Sequence, residues 1–343
     1  MNKEQYQCGS EGRIPILSVI IPVYNVENYI ELCARSLFEQ TLKNIEYIFV
    51  DDRSLDSSVD VLHRVIEDYP ERKEDIKIIS NEKNLGPSAT RNIGLNICSG
   101  DYITFCDSDD EVEKNAYELM INKALETESE IISCGTYVDD GDVSYVLSFN
   151  DSQSLSYNSL YKLECIEGVL WSSLWNKVMH RNLLVNNNVR FHDSLKMWDD
   201  LYFTFIARYF CKKDALVNMP LYHYKFKQTG SLTSENKVIK ATSQIECVRE
   251  LERFLQQQEN GKKMMTVLSF LKMRAKDGLF TSETISKWKK IYPEAHKKIH
   301  LFYRYYGLSR IVCYYSVIFF GKYGWRIKDF LSLLKKRLLK NEK

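Results

Sequence analysis

Four short runs of β-forming residues, Leu17 to Ile21, Ile45 to Val50, Ile76 to Ile79 and Tyr102 to Phe105, alternate with segments of helical periodicity. Between the first two, Val26, Ile30, Ala34, Leu37 and Phe38 recur at helical spacing. Between the next two, Val59, Leu62, Ile66 and Tyr69 do the same behind Asp56 and Ser57. Strands and helices in that rhythm predict an α/β fold, with a mostly parallel sheet covered on both faces by crossover helices. Ligands of such sheets bind beyond the carboxyl ends of the strands. Those ends are polar here: Pro22-Val23-Tyr24-Asn25, Asp51-Asp52-Arg53-Ser54 and Asp107-Ser108-Asp109-Asp110.

Further along, Ala116, Leu119, Met120, Lys123 and Ala124 predict a helix that leads into another strand, Ile131 to Cys134. Asp139-Asp140-Gly141-Asp142 reads as a turn, and residues 143 to 170 are mixed and polar without a clear period. From Lys237 onward the pattern is helical and increasingly basic. The expected organisation is a polar extension over 1–13, an α/β domain over 14–235 and a helical, basic region over 236–343.

Hydrophobic content of 44% with 27% charged residues places the chain among globular proteins. Met1 to Arg13 is polar without an apolar run, so neither a signal peptide nor a membrane anchor is expected and the location should be cytoplasmic. None of the nine cysteines forms a CxxC pair, and Cys33, Cys98, Cys106 and Cys134 fall in apolar segments, which fits reduced thiols better than disulfides or zinc. Charge is strongly divided. Up to Gly261 there are 27 Lys and Arg against 41 Asp and Glu, and from Lys262 there are 20 against 5. An acidic body with a basic tail that meets an anionic surface is the expected arrangement.

Asp107 and Asp109 lie two apart, so on extended backbone they point the same way, and like charges crowd unless a cation or proton offsets them. All-oxygen ligands at a strand end suit Mg²⁺ or Mn²⁺. A solvated acidic turn capping the next helix is the plainer reading of the same residues. Asp51-Asp52 reads either as a helix N-cap pair or as acceptors for a base or ribose. Gly86-Pro87-Ser88-Ala89-Thr90-Arg91 opens a helix with Arg91 one turn in, where a guanidinium can meet phosphate, although it is not a Walker or GxGxxG motif. With no GxGxxG after the first strand, a dehydrogenase is disfavoured.

Read together, Val19-Ile20-Ile21-Pro22-Val23-Tyr24-Asn25, Val50-Asp51-Asp52-Arg53-Ser54-Leu55-Asp56, Asn84-Leu85-Gly86-Pro87-Ser88-Ala89-Thr90-Arg91-Asn92 and Phe105-Cys106-Asp107-Ser108-Asp109-Asp110 resemble, in order and spacing, the N-terminal half of the family 2 glycosyltransferases. The resemblance runs more loosely through Trp175-Asn176-Lys177 and Trp198-Asp199-Asp200 to about Ser234. It implies a Rossmann-like GT-A fold. It also implies an inverting, metal-dependent transfer of sugar from a nucleotide donor, with UDP the expected nucleotide, to a hydroxyl of a glycan or lipid-linked acceptor. Capsule, exopolysaccharide and O-antigen synthesis are the settings it suggests. By the same resemblance Pro22, Tyr24, Asn25, Asp52, Arg91, Asp107 and Ser108 bind the donor nucleotide, and Asp107 and Asp109 hold Mn²⁺ or Mg²⁺. His223, in Tyr222-His223-Tyr224-Lys225, would add a metal or phosphate contact, against the plainer reading of a packed histidine.

Asp200 is the implied base, with Asp199 as its neighbour in place of the commoner Glu. Arg53 departs from the family, which often has Gly there. Trp171, Trp175 and Trp198 are candidates for stacking on sugar, with core packing the plainer role for at least two of them. A non-catalytic sugar-nucleotide-binding partner and a nucleotidyltransferase are the alternatives that remain.

In the basic region, Ile311 to Phe320 is apolar but too short to span a bilayer. Ile327, Phe330, Leu331, Leu334 and Leu338 form a helical stripe with Lys328, Lys335, Lys336 and Lys340 beside it. Peripheral contact with the anionic inner face of the cytoplasmic membrane and packing against the catalytic domain or a second copy explain this pattern equally well. No nucleic acid is expected as a partner, since the basic residues accompany a greasy stripe. Homo-oligomerisation is left open.

Overall fold

The computed structural model describes residues 15–139, 141, 143–149, 169–225 and 237–324. It divides into two compact units, one holding the described residues up to Lys225 and the other those from Lys237. The stripe from Ile327 to Leu338, and Gly230 to Thr233, lie outside the described residues.

In the first unit, strands β1 (Leu17–Val23), β2 (Ile45–Asp51), β3 (Ile76–Ser80) and β4 (Tyr102–Phe105) pair in parallel in the order β3-β2-β1-β4. These are the four runs that alternation singled out. β1, β2 and β4 are buried on both faces, as a sheet covered on two sides requires. Helix α1 (Ile30–Phe38) buries Ile30, Cys33, Ala34, Leu37 and Phe38 on one face. Helix α2 (Ser58–Glu67) buries Val61, Leu62, Val65 and Ile66. The expected α2 stripe of Val59, Leu62, Ile66 and Tyr69 is thus rotated. The helix ends at Glu67, so Tyr69 lies beyond it, and Val59 flanks the face that meets the core.

Helix α3 (Pro87–Ile97) follows Gly86, whose φ of +87° is a backbone state glycine adopts freely. Beyond β4 come β5 (Glu111–Val112), α4 (Ala116–Thr127), β6 (Ile131–Asp139) and β7 (Ser144–Leu147). After α5 (Val169–Ser172) the unit is completed by β8 (Lys177–His180), α6 (Arg181–Asn186), α7 (Asp199–Phe210) and β9 (Asp214–Lys225). The sheet continues β4-β8-β6-β9-β5, with β8 antiparallel to both its neighbours and β6 parallel to β9. β6 and β7 form a hairpin across the turn expected at Asp139 to Asp142, where Asp139 accepts from Gly141 N at 2.9 Å. Registers shift either side of Gly135, where a Cβ would sit 2.8 Å from the Leu147 carbonyl oxygen; glycine lets the bulge form.

The second unit is helical: α8 (Lys237–Gln256), α9 (Met265–Ala275), α10 (Ile285–Lys290) and α11 (Tyr303–Phe320), linked by 3₁₀ turns. Its centre is Trp288, stacked between His296 and Tyr314. Lys276 is fully buried and donates to the Ile291 carbonyl just past the end of α10 and to His296 Nε2, both at 2.6 Å. An amine there meets the unpaired carbonyls at the helix carboxyl end, and burial pushes Lys276 down to about 7. Among the described residues no helix is long and apolar enough to cross a membrane.

Candidate active site

The parallel strands bring their polar ends to one edge. Val23 of β1 lies opposite Asp51 of β2, and Asp51 opposite Ser80 of β3. The two loops that follow β1 and β2 are stitched together: Asn25 accepts from Leu55 N at 2.8 Å, and Asp56 accepts from Glu27 N at 3.0 Å. Both loops need left-handed backbone, at Asn25 (φ +51°) and Arg53 (φ +65°). A positive φ at position 53 is the physical reason glycine suits it, and Arg53 occupies it under strain. Pro22 is half-buried ahead of the buried Val23 that ends β1, and Tyr24 stands 45% exposed at the edge.

Asp52 is only 3% exposed. Its carboxylate accepts from Asn81 Nδ2, Leu85 N and Gly86 N, each at 2.8 Å. Three internal hydrogen bonds leave it little capacity for a ligand, so its visible action is to shape the loop from Asn81 to Gly86 that starts α3.

One turn into α3, Arg91 bridges two carboxylates. Its Nη2 meets Asp107 Oδ1 and its Nη1 meets Asp199 Oδ2, both at 2.9 Å. Asp199 also accepts from Ser88 Oγ at 3.3 Å, and the guanidinium lies 5.7 Å over the Phe191 ring. Arg91 therefore joins the end of β4 to the start of α7. Beside it, Asp200 is pushed up to about 7, by burial first and by the Asp199 charge second. A carboxyl that exchanges its proton near neutrality is suited to acid–base work.

The carboxylates after β4 are also crowded. Asp109 is pushed up to about 6 by burial and then by Asp107, and burial holds Asp110 well above the usual range. Asp110 is 1% exposed; it accepts from Tyr222 OH and Lys225 N, each at 2.9 Å, and Tyr222 OH in turn accepts from Asp107 N at 3.1 Å. Behind this relay Trp175 stacks on Tyr222 and Tyr224 at 4.5 and 5.4 Å. Trp171 is buried against Phe205 and Arg208, so these two tryptophans have core roles, while Trp198 enters α7 at φ +63°. Ser108 is buried within the same turn. Lys177 is fully buried, donating to the Leu170 and Ser173 carbonyls and to Asn176. Tyr222→Phe should leave Asp107 N and Asp110 without their shared partner, lowering turnover about tenfold and stability by about 1–3 kcal/mol, readable in steady-state rates and urea unfolding.

Among the described residues no group of three or more His, Cys, Asp and Glu is arranged to hold a metal by itself. Asp107 and Asp109 offer two carboxylates, the number a Mg²⁺ or Mn²⁺ site shared with phosphate oxygens commonly uses. Asp109, raised by burial first and the Asp107 charge second, is a carboxyl whose ionised form a cation would favour, and Asp107 keeps a second oxygen beside the one that meets Arg91, so the residues fit the ion. The structure does not bring His223 to them. Its Nε2 lies 2.8 Å from Glu113 Oε1 and its ring stacks on Tyr137 at 4.7 Å, because β9 pairs with β6 on one side, where Tyr137 lies opposite His223, and with β5 on the other, just before Glu113. Sequence reading also missed the Arg91–Asp199 pair and the Asp110–Tyr222 bond. A third acid directly after Asp107 and Asp109 was the available sign of the second.

Residues 18–183 match the model described as Glycosyl transferase family 2. EpsH of Bacillus subtilis is 32% identical over 215 residues, covering 62% of this chain and 61% of its own length. Glycosyltransferase GlyA of Streptococcus pneumoniae is 33% identical over 236 residues, covering 63% of this chain and 31% of its own. The chain thus spans 61% of EpsH and 31% of GlyA. In fold it is similar to S. aureus TarS 1–349, solved in complex with UDP-GlcNAc, with a TM-score of 0.63 at 20% identity over 92% of this chain and 91% of that one. It also resembles the mannosyltransferase PcManGT of Pyrobaculum calidifontis, solved with GDP-Man and Mn2+, with a TM-score of 0.55 at 14% identity over 94% and 88%. The α/β sheet gathers its acids at the carboxyl edge; residues 18–183, which hold most of that sheet, match glycosyl transferase family 2, and the two solved neighbours share the fold.

Proposed function

We propose that the chain is an inverting, metal-dependent glycosyltransferase that moves a sugar from a nucleotide sugar to a hydroxyl of a glycan or lipid-linked acceptor in the synthesis of a bacterial surface polysaccharide. The observation that carries this reading is Arg91 held between Asp107 and Asp199, with Asp200 raised to about 7 alongside. One side of that bridge is suited to a diphosphate and the other to a proton transfer. UDP-sugars are the first donors to try, because the fold neighbour TarS was solved with UDP-GlcNAc; GDP-mannose follows from PcManGT.

In this mechanism Asp200 takes the proton of the acceptor hydroxyl as its oxygen attacks the anomeric carbon, the bond to the diphosphate breaks and the nucleoside diphosphate leaves. Attack from the opposite side inverts the anomeric centre. Asp199, fixed by Arg91 and Ser88, keeps the start of α7 in place and raises Asp200. Arg91 meets the developing charge of the leaving group. Asp52 acts by shaping the loop before α3, while Tyr24 and Asn25 present the edge on which the nucleoside rests. Asp107 and Asp109 would hold Mn²⁺ or Mg²⁺, which neutralises diphosphate charge.

The test is nucleoside diphosphate release from a panel of UDP- and GDP-sugars with Mn²⁺. Release from one donor that a chelator stops, and that Asp109→Ala abolishes, is the expected result. If no donor turns over or binds with metal present, the transferase reading fails and a non-catalytic binding partner replaces it. Pyrophosphate release from a nucleoside triphosphate would instead assign nucleotidyl transfer.

A further inference from the structure

Helix α11 is apolar on two faces, and among the described residues only one of them is packed. After the bend at Gly307 (φ +74°), Ile311, Tyr314 and Val317 are buried inside the second unit. Leu308, Val312, Tyr315 and Phe319 follow one another at positions i, i+4, i+7 and i+11, along a separate stripe. Leu308 is 74% exposed, Val312 41% and Phe319 73%, and Phe320 and Tyr323 extend the patch at 63% and 76%. The Tyr315 ring stacks on Phe319. A run of large apolar side chains on one exposed helix face marks an interaction surface.

Its surroundings are basic. Residues 262–324 carry 13 Lys and Arg against three Asp and Glu, and two of those acids are already paired, Asp277 with Arg310 and Glu294 with Lys272. Lys289 donates to the Ile318 carbonyl at 2.8 Å, which sets α10 against the aromatic end of α11. Lys287 and Lys290, also on α10, are exposed. A second copy of the chain would set like charge against like charge across this face. An anionic surface complements it.

We propose that this face of α11 docks on an anionic lipid bilayer, with Leu308, Phe319, Phe320 and Tyr323 entering the interface and the α10 lysines meeting lipid phosphates. Aromatic and aliphatic side chains settle at the headgroup boundary while lysines reach outward to the charge. The bound face would hold the chain beside lipid-borne molecules without a membrane-crossing helix.

Co-sedimentation of the full chain with vesicles of phosphatidylglycerol and phosphatidylcholine, and of phosphatidylcholine alone, tests this. Pelleting should require phosphatidylglycerol and weaken with added salt. Phe319→Glu with Phe320→Glu should reduce binding by on the order of tenfold or more, with circular dichroism unchanged because both side chains are exposed. Lys287→Glu with Lys290→Glu should weaken binding to the anionic vesicles alone. The proposal is overturned by no pelleting on anionic vesicles, or by a Phe319→Glu/Phe320→Glu variant that pellets like wild type. It is equally overturned by a wild-type dimer that the same substitutions dissociate while vesicle binding is absent.

Discussion

Asp200→Asn should lower kcat for donor turnover by about 10²–10⁴-fold while leaving the donor KM nearly unchanged. The substitution keeps the size of the side chain and an oxygen to accept from Leu201 N, which Asp200 Oδ1 meets at 2.7 Å, so the start of α7 should persist. What it removes is a carboxylate raised to about 7 by burial and by Asp199. The wild-type rate should climb as pH rises through about 7, since only the ionised form takes a proton, and the variant should lose that limb. Stability runs the other way. A carboxyl raised in the folded state favours its protonated form there, so stability falls as pH rises from the ordinary carboxylate range, where the unfolded chain ionises, to about 7, and stays reduced above it. Asp200→Asn should therefore melt higher than wild type at pH 8 and show less advantage near pH 4. A lower rate with a higher melting temperature is the signature of a base held in an unfavourable environment. A lower rate with a lower melting temperature would mean that Asp200 is structural.

The second large effect is expected at Arg91. Arg91→Gln should lower kcat/KM by about 10³-fold or more, since it removes a charge-assisted partner from both Asp107 and Asp199. The guanidinium is also one of the charges that hold Asp200 down, so its loss should move the rising limb of the pH profile to higher pH. Arg91→Lys keeps the charge but not the fork that reaches two carboxylates, and should recover the position of the limb better than the rate. An Arg91→Gln enzyme with an unshifted limb would separate Arg91 from the base. Rates at saturating donor between pH 5.5 and 9 provide both readings, the interval being chosen to bracket the pH of about 7 at which Asp200 exchanges its proton.

The alternation of four strands with helices, and the polar ends of β1, β2 and β4, were legible because they depend on local periodicity and on turn chemistry. The motifs around Asp52, Arg91 and Asp107 were legible for a related reason, since each sits where one strand ends or one helix starts. Less could be read once the sheet stopped alternating. β5, β8 and β9 are short or lack a clear period, and their places in the sheet come from pairing rather than from propensity, β8 with β4 and β6, β9 with β6, and β5 with β9. His223 illustrates the consequence. Its neighbours in the chain fit a metal contact, but β9 lies between β6 and β5, and those pairings put the ring on Tyr137 of β6 and beside Glu113 just after β5.

By itself the sequence determined the α/β class, the acidic edge, and the division between an acidic body and a basic helical tail. Only the tertiary structure decided which acids act on one another. Arg91 and Asp199 are 108 residues apart, and Asp110 and Tyr222 are 112 apart. Whether a carboxylate is paired, buried or raised depends on what the fold sets within a few ångströms of it. It was likewise packing that separated the buried stripe of α11 from the exposed one, since both are apolar and, among the described residues, only one has neighbours that cover it.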